Sequence, residues 1–300
     1  MSRALHIIQS GLEMLGPETV LLKCDIKNAF NERKREEILA DLLKEDRLKP
    51  LWRFAHSAYR TPSPLLVSDR GTLAGILMSQ QGVCQGDGLA SLLFSLSVQK
   101  FYERCTREIK DSRSVVKVAI ADDFNILGPP RAVIETFKAF VSEIKGSGLE
   151  IRMAKCGILV PDINSVPELI HEYVTETKIP LYTGAMQTLG SIVGTHEPTI
   201  RNWLNKRTAS FDQFFRLLSR DDLSTQIAMT LLRESTVPSL GHLARVLPPP
   251  LLKPFAERFD DMLLSQPPPN WSSLTPYLMR HEKPFNGQSG KVVLDLLQWQ

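Results

Sequence analysis

Short apolar stretches organise this chain, and their period switches along the sequence from two to about 3.6 residues. Val115, Val116, Val118 and Ile120 form a largely β-branched run, and Phe124, Ile126 and Leu127 resume it after two adjacent aspartates. Such side chains pack well on a pleated surface, so Val115 to Leu127 is predicted as a β-hairpin with Asp122 and Asp123 at its tip. Far upstream, Val20 to Cys24 reads as another apolar strand and delivers one carboxylate, Asp25, at its end. From Glu32 to Glu45 the pattern becomes helical, with Ile38, Leu39, Leu42 and Leu43 on one face, so Asp25 falls at a strand-to-helix junction.

Between these segments, a polar loop with Gln80, Gln81, Gly82, Gln85, Gly86, Asp87 and Gly88 opens into a helix carrying Leu89, Leu92, Leu93, Leu96 and Phe101. Glycines let a backbone approach a ligand, and an amide side chain at a helix mouth can bond a sugar or base. Leu51 to Tyr59 reads as a helix, and Leu65 to Ser79 as a hairpin around Asp69-Arg70-Gly71. Arg131 to Lys145 reads as a helix burying Val133, Phe137, Phe140, Val141 and Ile144. Strands are expected around Leu149 to Val160 and Met186 to Val193. From about His196 the pattern is helical: Ile200 to Leu218, Leu223 to Glu234 and Leu251 to Leu264, interrupted by prolines at 248–250 and 267–269. Asn270 to Gln300 reads as a loosely packed end. No internal repeat is visible.

The acidic residues change the picture. Carboxylates in an apolar sheet are costly unless they are paired or hold a cation. An Asp-Asp pair alone reads most simply as a solvated turn. Asp25, at the end of a second strand of the same kind, shifts that reading. If the two strands are neighbours, three carboxylates converge as two-metal phosphoryl transfer requires, and magnesium suits an all-oxygen ligand set.

The order D-I-K-N-A-F-N, then Q-G-V-C-Q-G-D-G-L-A-S-L-L-F, then I-A-D-D resembles motifs A, B and C of reverse transcriptases, especially those of non-LTR (LINE-like) retrotransposons. Gly148 to Leu159 resembles motif D, and Leu189 to Gly194 the turn of motif E. The likeness spans roughly residues 5 to 195 in the family's order, which is far more specific than any single motif. It implies an α+β polymerase palm, an antiparallel sheet backed by helices, with partial fingers and a helical thumb-like C-terminal part. Residues 1–195 would form fingers and palm, 196–265 the thumb-like region, and 266–300 an extension.

The resemblance also assigns roles. Asp25, Asp122 and Asp123 match the metal-binding carboxylates, and the backbone carbonyl of Ile26 matches a further ligand. Two magnesium ions are implied, with manganese as a substitute. Phe30 falls at the aromatic gate against the ribose 2′-hydroxyl. Gln85 and Gly86 fall along the incoming nucleotide, Asn28 lies in the same nucleotide-binding stretch, and Lys155 matches a proton donor to pyrophosphate. The implied partners are an RNA or DNA template with its primer and deoxynucleoside triphosphates. Arg201, Lys206, Arg207, Arg216 and Arg220 would contact phosphates, although the same residues also read as a solvated face balanced by Asp212, Asp221 and Asp222.

Several positions depart from the family pattern. Ile120 stands where an aromatic residue is usual, Gly88 replaces a proline, Ala90-Ser91 replaces Ser-Pro, and Arg152 replaces an asparagine. The family's fingers begin well before motif A, whereas only about 19 residues precede it here, as though Met1 were an in-frame start within a longer element. Two alternatives follow: a catalytically inactive remnant or nucleic-acid-binding module, and an RNA-dependent RNA polymerase. Phe30 and the Gln85-Gly86-Asp87 run argue against the second.

Composition adds little. The net charge of +3 suits a nucleic-acid partner only weakly. Cys24, Cys84, Cys105 and Cys156 lack metal-ligand spacing, as do His171, His196, His242 and His281, so neither a zinc site nor a disulfide framework is indicated. A reducing, intracellular setting in nucleus or cytoplasm fits this cysteine usage. No apolar run is long enough to cross a bilayer and no secretory h-region is seen.

Overall fold

The computed structural model describes residues 1–265 except 17, 108, 110–113, 163 and 221. The readings of a proline break at 267–269, of a loose end over Asn270 to Gln300, of a 266–300 extension, and of Asp221 and His281 lie outside the described residues. Two compact units emerge. One comprises Ile7–Leu189 and Val193–Thr195 with Met1; the other runs from His196 and takes in Ser2–His6 and Gly190–Ile192.

The first unit is built on a five-stranded sheet in the order β4-β5-β1-β6-β7. Strand β1 (Val20–Cys24) lies at the centre, antiparallel to β5 (Asp123–Gly128) on one side and to β6 (Gly157–Val160) on the other. Strand β4 (Val116–Ile120) pairs antiparallel with β5, and β7 (Leu181–Thr183) runs parallel to β6. Because side chains alternate across a strand, Val20, Leu22, Cys24, Phe124, Ile126, Ile158 and Val160 share one face. There they pack with Phe94, Val98 and Phe101 of α5 (Ala90–Arg104) and Phe137 and Phe140 of α6 (Pro130–Ile144). The opposite face carries Leu21, Lys23, Asp123, Asn125 and Leu127. Helix α1 (Ser2–Met14) approaches its lower part so closely that a Cβ on Gly11 would stand 2.2 Å from a Leu127 methyl.

The remaining elements of this unit show where local pattern and structure part. The helix expected over Glu32 to Glu45 is two helices, α2 (Ala29–Glu32) and α3 (Arg35–Lys44), with extended backbone at Arg33 and Lys34. The break turns the Arg33 guanidinium inward, where it has its bonding partners. Helix α4 (Lys49–Tyr59) leads into a two-stranded ribbon, β2 (Ser63–Asp69) and β3 (Thr72–Ser79). The strand expected over Leu149 to Val160 is interrupted. Only Ile151 bridges to Ile26, a 3-10 turn covers Met153–Lys155, and β6 begins at Gly157. Helix α7 (Glu168–Thr177) is an addition to the elements expected from the sequence, and Met186 to Val193 resolves into β8 (Ala185–Thr188) and β9 (Ser191–Gly194) around a left-handed Leu189-Gly190 turn.

The second unit is helical. In α8 (Glu197–Leu218), Ile200, Leu204, Thr208, Phe211, Phe215 and Leu218 recur at helical spacing and are buried. Phe211 and Phe215 pack against Phe255 and Phe259 of α11 (Pro249–Ser265), with ring centroids 5.3 to 5.5 Å apart. The single helix expected over Leu223 to Glu234 is α9 (Thr225–Leu231) running into a π-helical turn, Leu232–Thr236, and then α10 (Val237–Ala244). The prolines at 249 and 250 stand in the first turn of α11, where a missing N–H removes no helical hydrogen bond. Among the described residues, no helix is long and apolar enough to cross a membrane.

Candidate active site

The antiparallel register of β1 and β5 pairs Cys24 with Phe124. One step further along both strands puts Asp25 opposite Asp123, and directly paired residues project from the same face. That face points away from the helix-backed core, since Cys24 and Phe124 occupy the other. Ile120 pairs with Asp123 across the hairpin, so Ala121 and Asp122 form a two-residue turn. Ala121 sits at φ +53°, a left-handed conformation that costs a non-glycine residue energy and is typical of functional turns. The adjacent Asp122 and Asp123 and the distant Asp25 thus lie at the same end of the sheet.

Their charges act on one another. Burial raises the Asp123 carboxyl above its ordinary range, Asp122 raises it further, Lys23 opposes the shift, and Asp25 adds to it. Lys23 escaped the sequence reading. It pairs with Asn125, one pleat below the carboxylates on the same face, so its ammonium is the cation nearest in register. Asn125 is buried; its carbonyl accepts from Thr188 Oγ1 at 3.2 Å and its amide nitrogen has no hydrogen-bond partner.

Beyond β1 the chain continues along the segment read as motif D. Lys27 N–H donates to Glu150 O at 2.8 Å and Arg152 N–H to Asp25 O at 2.9 Å, flanking the Ile26–Ile151 bridge. Backbone groups alternate from edge to edge in a strand, so the carbonyl of Ile26 lies on the β5 side, where the Asp122 turn is. Asp25 N–H also donates to the Cys156 sulfur at 3.4 Å. Cys156 and Cys24 touch across the strands: burial raises the Cys24 thiol, and the hydrogen bond from Cys24 lowers Cys156. Lys155 is exposed in the 3-10 turn attached to this strand end and makes no ion pair among the described residues.

Phe30 and the Gln85-Gly86 loop are joined through the backbone. Asn28 adopts φ +44° and starts the short α2, which sets Phe30 face to face with Phe94 at 4.4 Å. Val83 N–H donates to Phe30 O and Gly82 N–H to Arg33 O, each at 2.8 Å. Gln85 and Gly86 stand exposed just beyond, and Asn28 is exposed as well. On the other side of the hairpin, Tyr102 on α5 donates its hydroxyl to the Ala121 carbonyl at 2.8 Å while its ring packs on Phe124 and Phe140. Burial is the main reason its phenol is raised above the usual range. Tyr102 braces the turn bearing Asp122; nothing in the local sequence marks it, because the partner lies across the fold.

Among the described residues no three His, Cys, Asp or Glu side chains are gathered tightly enough to form a metal cage. The donor chemistry still fits a hard cation. The set is all oxygen, and a divalent ion would offset both the burial that chiefly raises Asp123 and the repulsion from Asp122 and Asp25 that adds to it.

The family model for reverse transcriptase (RNA-dependent DNA polymerase) matches residues 2–204. The chain belongs to the reverse transcriptase family. Its sheet, backed by α5 and α6, is the polymerase palm of this family, and the reverse transcriptase match ends within α8. This reverse transcriptase domain is 22% identical, over 225 residues and 75% of its length, to the retrotransposable element SLACS 132 kDa protein of Trypanosoma brucei gambiense. The chain spans about 18% of that relative's length. Among solved structures, it is similar to the telomerase of Candida albicans in complex with a TWJ fragment of telomeric RNA. There the identity is 12%, the coverage is 99% of this chain and 53% of that one, and the TM-score is 0.47. The RNA-dependent RNA polymerase of a human picorbirnavirus matches at 14% identity, with coverage of 100% and 54% and a TM-score of 0.45. Reverse transcriptases work with divalent metals on nucleic-acid templates.

In the helical unit, four of the five basic residues singled out are engaged locally. Arg201 pairs with Glu197, Arg220 with Asp222, Arg207 bonds the Ser239 hydroxyl, and Arg216 bonds the Asp212 carbonyl. The two ion pairs among these contacts, Arg201–Glu197 and Arg220–Asp222, are exposed, and such pairs contribute little to stability.

Proposed function

We propose that this reverse transcriptase domain extends a primer along an RNA or DNA template with deoxynucleoside triphosphates, as the polymerase domain of a retrotransposon. Residues 1–195 act as palm with part of the fingers, and the helices of 196–265 as a thumb. The observation that carries this reading is the register that sets Asp25 opposite Asp123, beside the Asp122 turn.

Asp25, Asp122, Asp123 and the Ile26 carbonyl would hold two magnesium ions, with manganese a substitute. Bound there, the ions supply activation of the primer 3′-hydroxyl and neutralisation of the leaving pyrophosphate. The chain's own groups do the positioning. Phe30, held flat by Phe94, lies under the sugar and leaves no room for a 2′-hydroxyl. Gln85 and Gly86 border the nucleotide, whose approach the small glycine permits. Lys155, exposed on its turn, offers a proton to the departing pyrophosphate, and Lys23 moderates the repulsion among the carboxylates.

The test is primer extension on poly(rA)/oligo(dT) with magnesium, beside Asp122→Ala. Extension by the native chain and none by the variant supports the reading. Equal extension by both refutes the metal assignment, and binding of primer–template without extension by either identifies a nucleic-acid-binding module instead.

A further inference from the structure

Gln85 and Gly86 form an exposed loop tip with open space around its glycines. Gly86 adopts φ +92°, and a Cβ placed on Gly86 or Gly88 would meet nothing within 4 Å. The two residues flanking the exposed pair are nevertheless both tied to one phenol. Cys84 N–H donates to the Tyr59 oxygen at 3.3 Å, and the Tyr59 hydroxyl donates to the Asp87 carboxylate. Asp87 also closes the turn itself: its N–H reaches Cys84 O at 3.1 Å, and its other carboxylate oxygen accepts from Leu89 N–H at 2.9 Å, at the mouth of α5.

Tyr59 is well placed to act as an anchor. It ends α4, is 5% exposed, and lies beneath the Arg35 guanidinium, whose carbon stands 5.4 Å from the ring centroid. Arg35 in turn donates to Gly82 O at 2.9 Å, to Ser79 O at 2.9 Å and to Ser79 Oγ at 2.7 Å. The phenol therefore stands on a braced support at the base of the loop. A hydroxyl that donates to a carboxylate while accepting from an amide is polarised in one direction, which strengthens both bonds. The Tyr59 bond holds the Asp87 carboxyl below its usual range, so the acceptor is ionised at neutral pH.

We infer that Tyr59 is a positioning residue for the incoming nucleotide: through Cys84 and Asp87 it fixes the loop that presents Gln85 and Gly86. It touches no reacting atom. The inference rests on the reading of that loop as the nucleotide border and names the group that sets its geometry. A flexible loop pays the cost of ordering when the nucleotide binds, whereas a pinned one has already done so. Loss of the pin should therefore appear in nucleotide affinity rather than in chemistry.

The test compares Tyr59→Phe, Asp87→Asn, the double variant and Gln85→Ala with the native chain on poly(rA)/oligo(dT). It measures KM and kcat for dTTP and the Kd for primer–template. Tyr59→Phe keeps the ring and its packing on Arg35. Its KM for dTTP should rise about tenfold, the scale of one charge-assisted hydrogen bond, with kcat and primer–template Kd within about twofold of native. The double variant should be no worse than the poorer single, because both remove the same link. A raised KM in Gln85→Ala with none in Tyr59→Phe overturns the inference and leaves the loop reading standing. An unchanged KM in Gln85→Ala overturns the loop reading and the inference with it. A joint fall in kcat and primer–template affinity in Tyr59→Phe shows a structural role and also overturns it.

Discussion

Gly82 and Phe30 are in backbone contact: a Cβ on Gly82 would stand 2.1 Å from the Phe30 carbonyl oxygen and 2.4 Å from the Asn31 Cα. Gly82 is also at φ +63°, so a side chain would meet strain and collision at once. Neither clash involves a flexible side chain that could yield. Gly82→Ala should destabilise the domain by about 3 kcal/mol, the sum of a left-handed penalty and overpacking. Urea unfolding checks this, and a loss below about 1 kcal/mol would mean the two segments separate easily.

Phe30 and Phe94 are expected to share the selection of sugar. Phe30→Ala should admit ribonucleotides, lowering the ratio of kcat/KM for dTTP over UTP. Phe94→Leu should lower it less, since Phe30 loses its stacked partner but stays in place. Selectivity left intact by Phe30→Ala would put the gate elsewhere.

Arg33 is fully buried, with side-chain bonds to Ser97 Oγ at 3.3 Å and Ser147 O at 2.9 Å and ion pairs to Glu37 and, at 3.5 Å, Asp41. Lys100 also reaches Asp41, at 2.7 Å. Removing one partner of a buried charge network strands the others, so Arg33→Leu should cost about 3 kcal/mol or more. Arg33→Lys should recover only part of it, because a point charge cannot reproduce a forked donor. Thermal melts of the three proteins decide this.

Asp260 supplies a pH dependence in the helical unit. It is 9% exposed, one carboxylate oxygen lacks a partner, and burial, with Asp261 and Glu257 adding, pushes its pKa up to about 6. The folded state then holds a proton that the unfolded chain has lost above about pH 4. Its contribution is full below that value and disappears as pH rises through about 6. The native protein should therefore melt higher at pH 5 than at pH 7 through this residue, and Asp260→Asn should raise the pH 7 melting temperature and flatten the difference. Parallel pH profiles for both proteins would discount Asp260.

Much of the palm could be read along the chain because its strands are short, apolar and bounded by acidic or glycine-rich turns. The hairpin around Asp122, the strand ending on Asp25 and the ribbon around Asp69-Arg70-Gly71 have local causes. Misread segments had tertiary ones. The helical periodicity through Glu32 to Glu45 hides the break at Arg33, because a charged side chain ordinarily marks a solvated face and here it is the buried centre of a network. The apolar run before Val160 suggests one strand, yet Arg152 and Lys27 bond across to their partners over a single bridge and the chain then turns.

Motif order and alternating hydrophobicity thus determined, without coordinates, the family of this chain, the strand character of its acidic segments and the residue types at its candidate site. Which carboxylates face one another, which glycine must stay bare, and which phenols hold the two turns were decided only in three dimensions. The reason is physical: periodicity reports which face of an element is apolar, while register, backbone approach and hydrogen bonds between segments 19 to about 100 residues apart depend on how those faces are stacked.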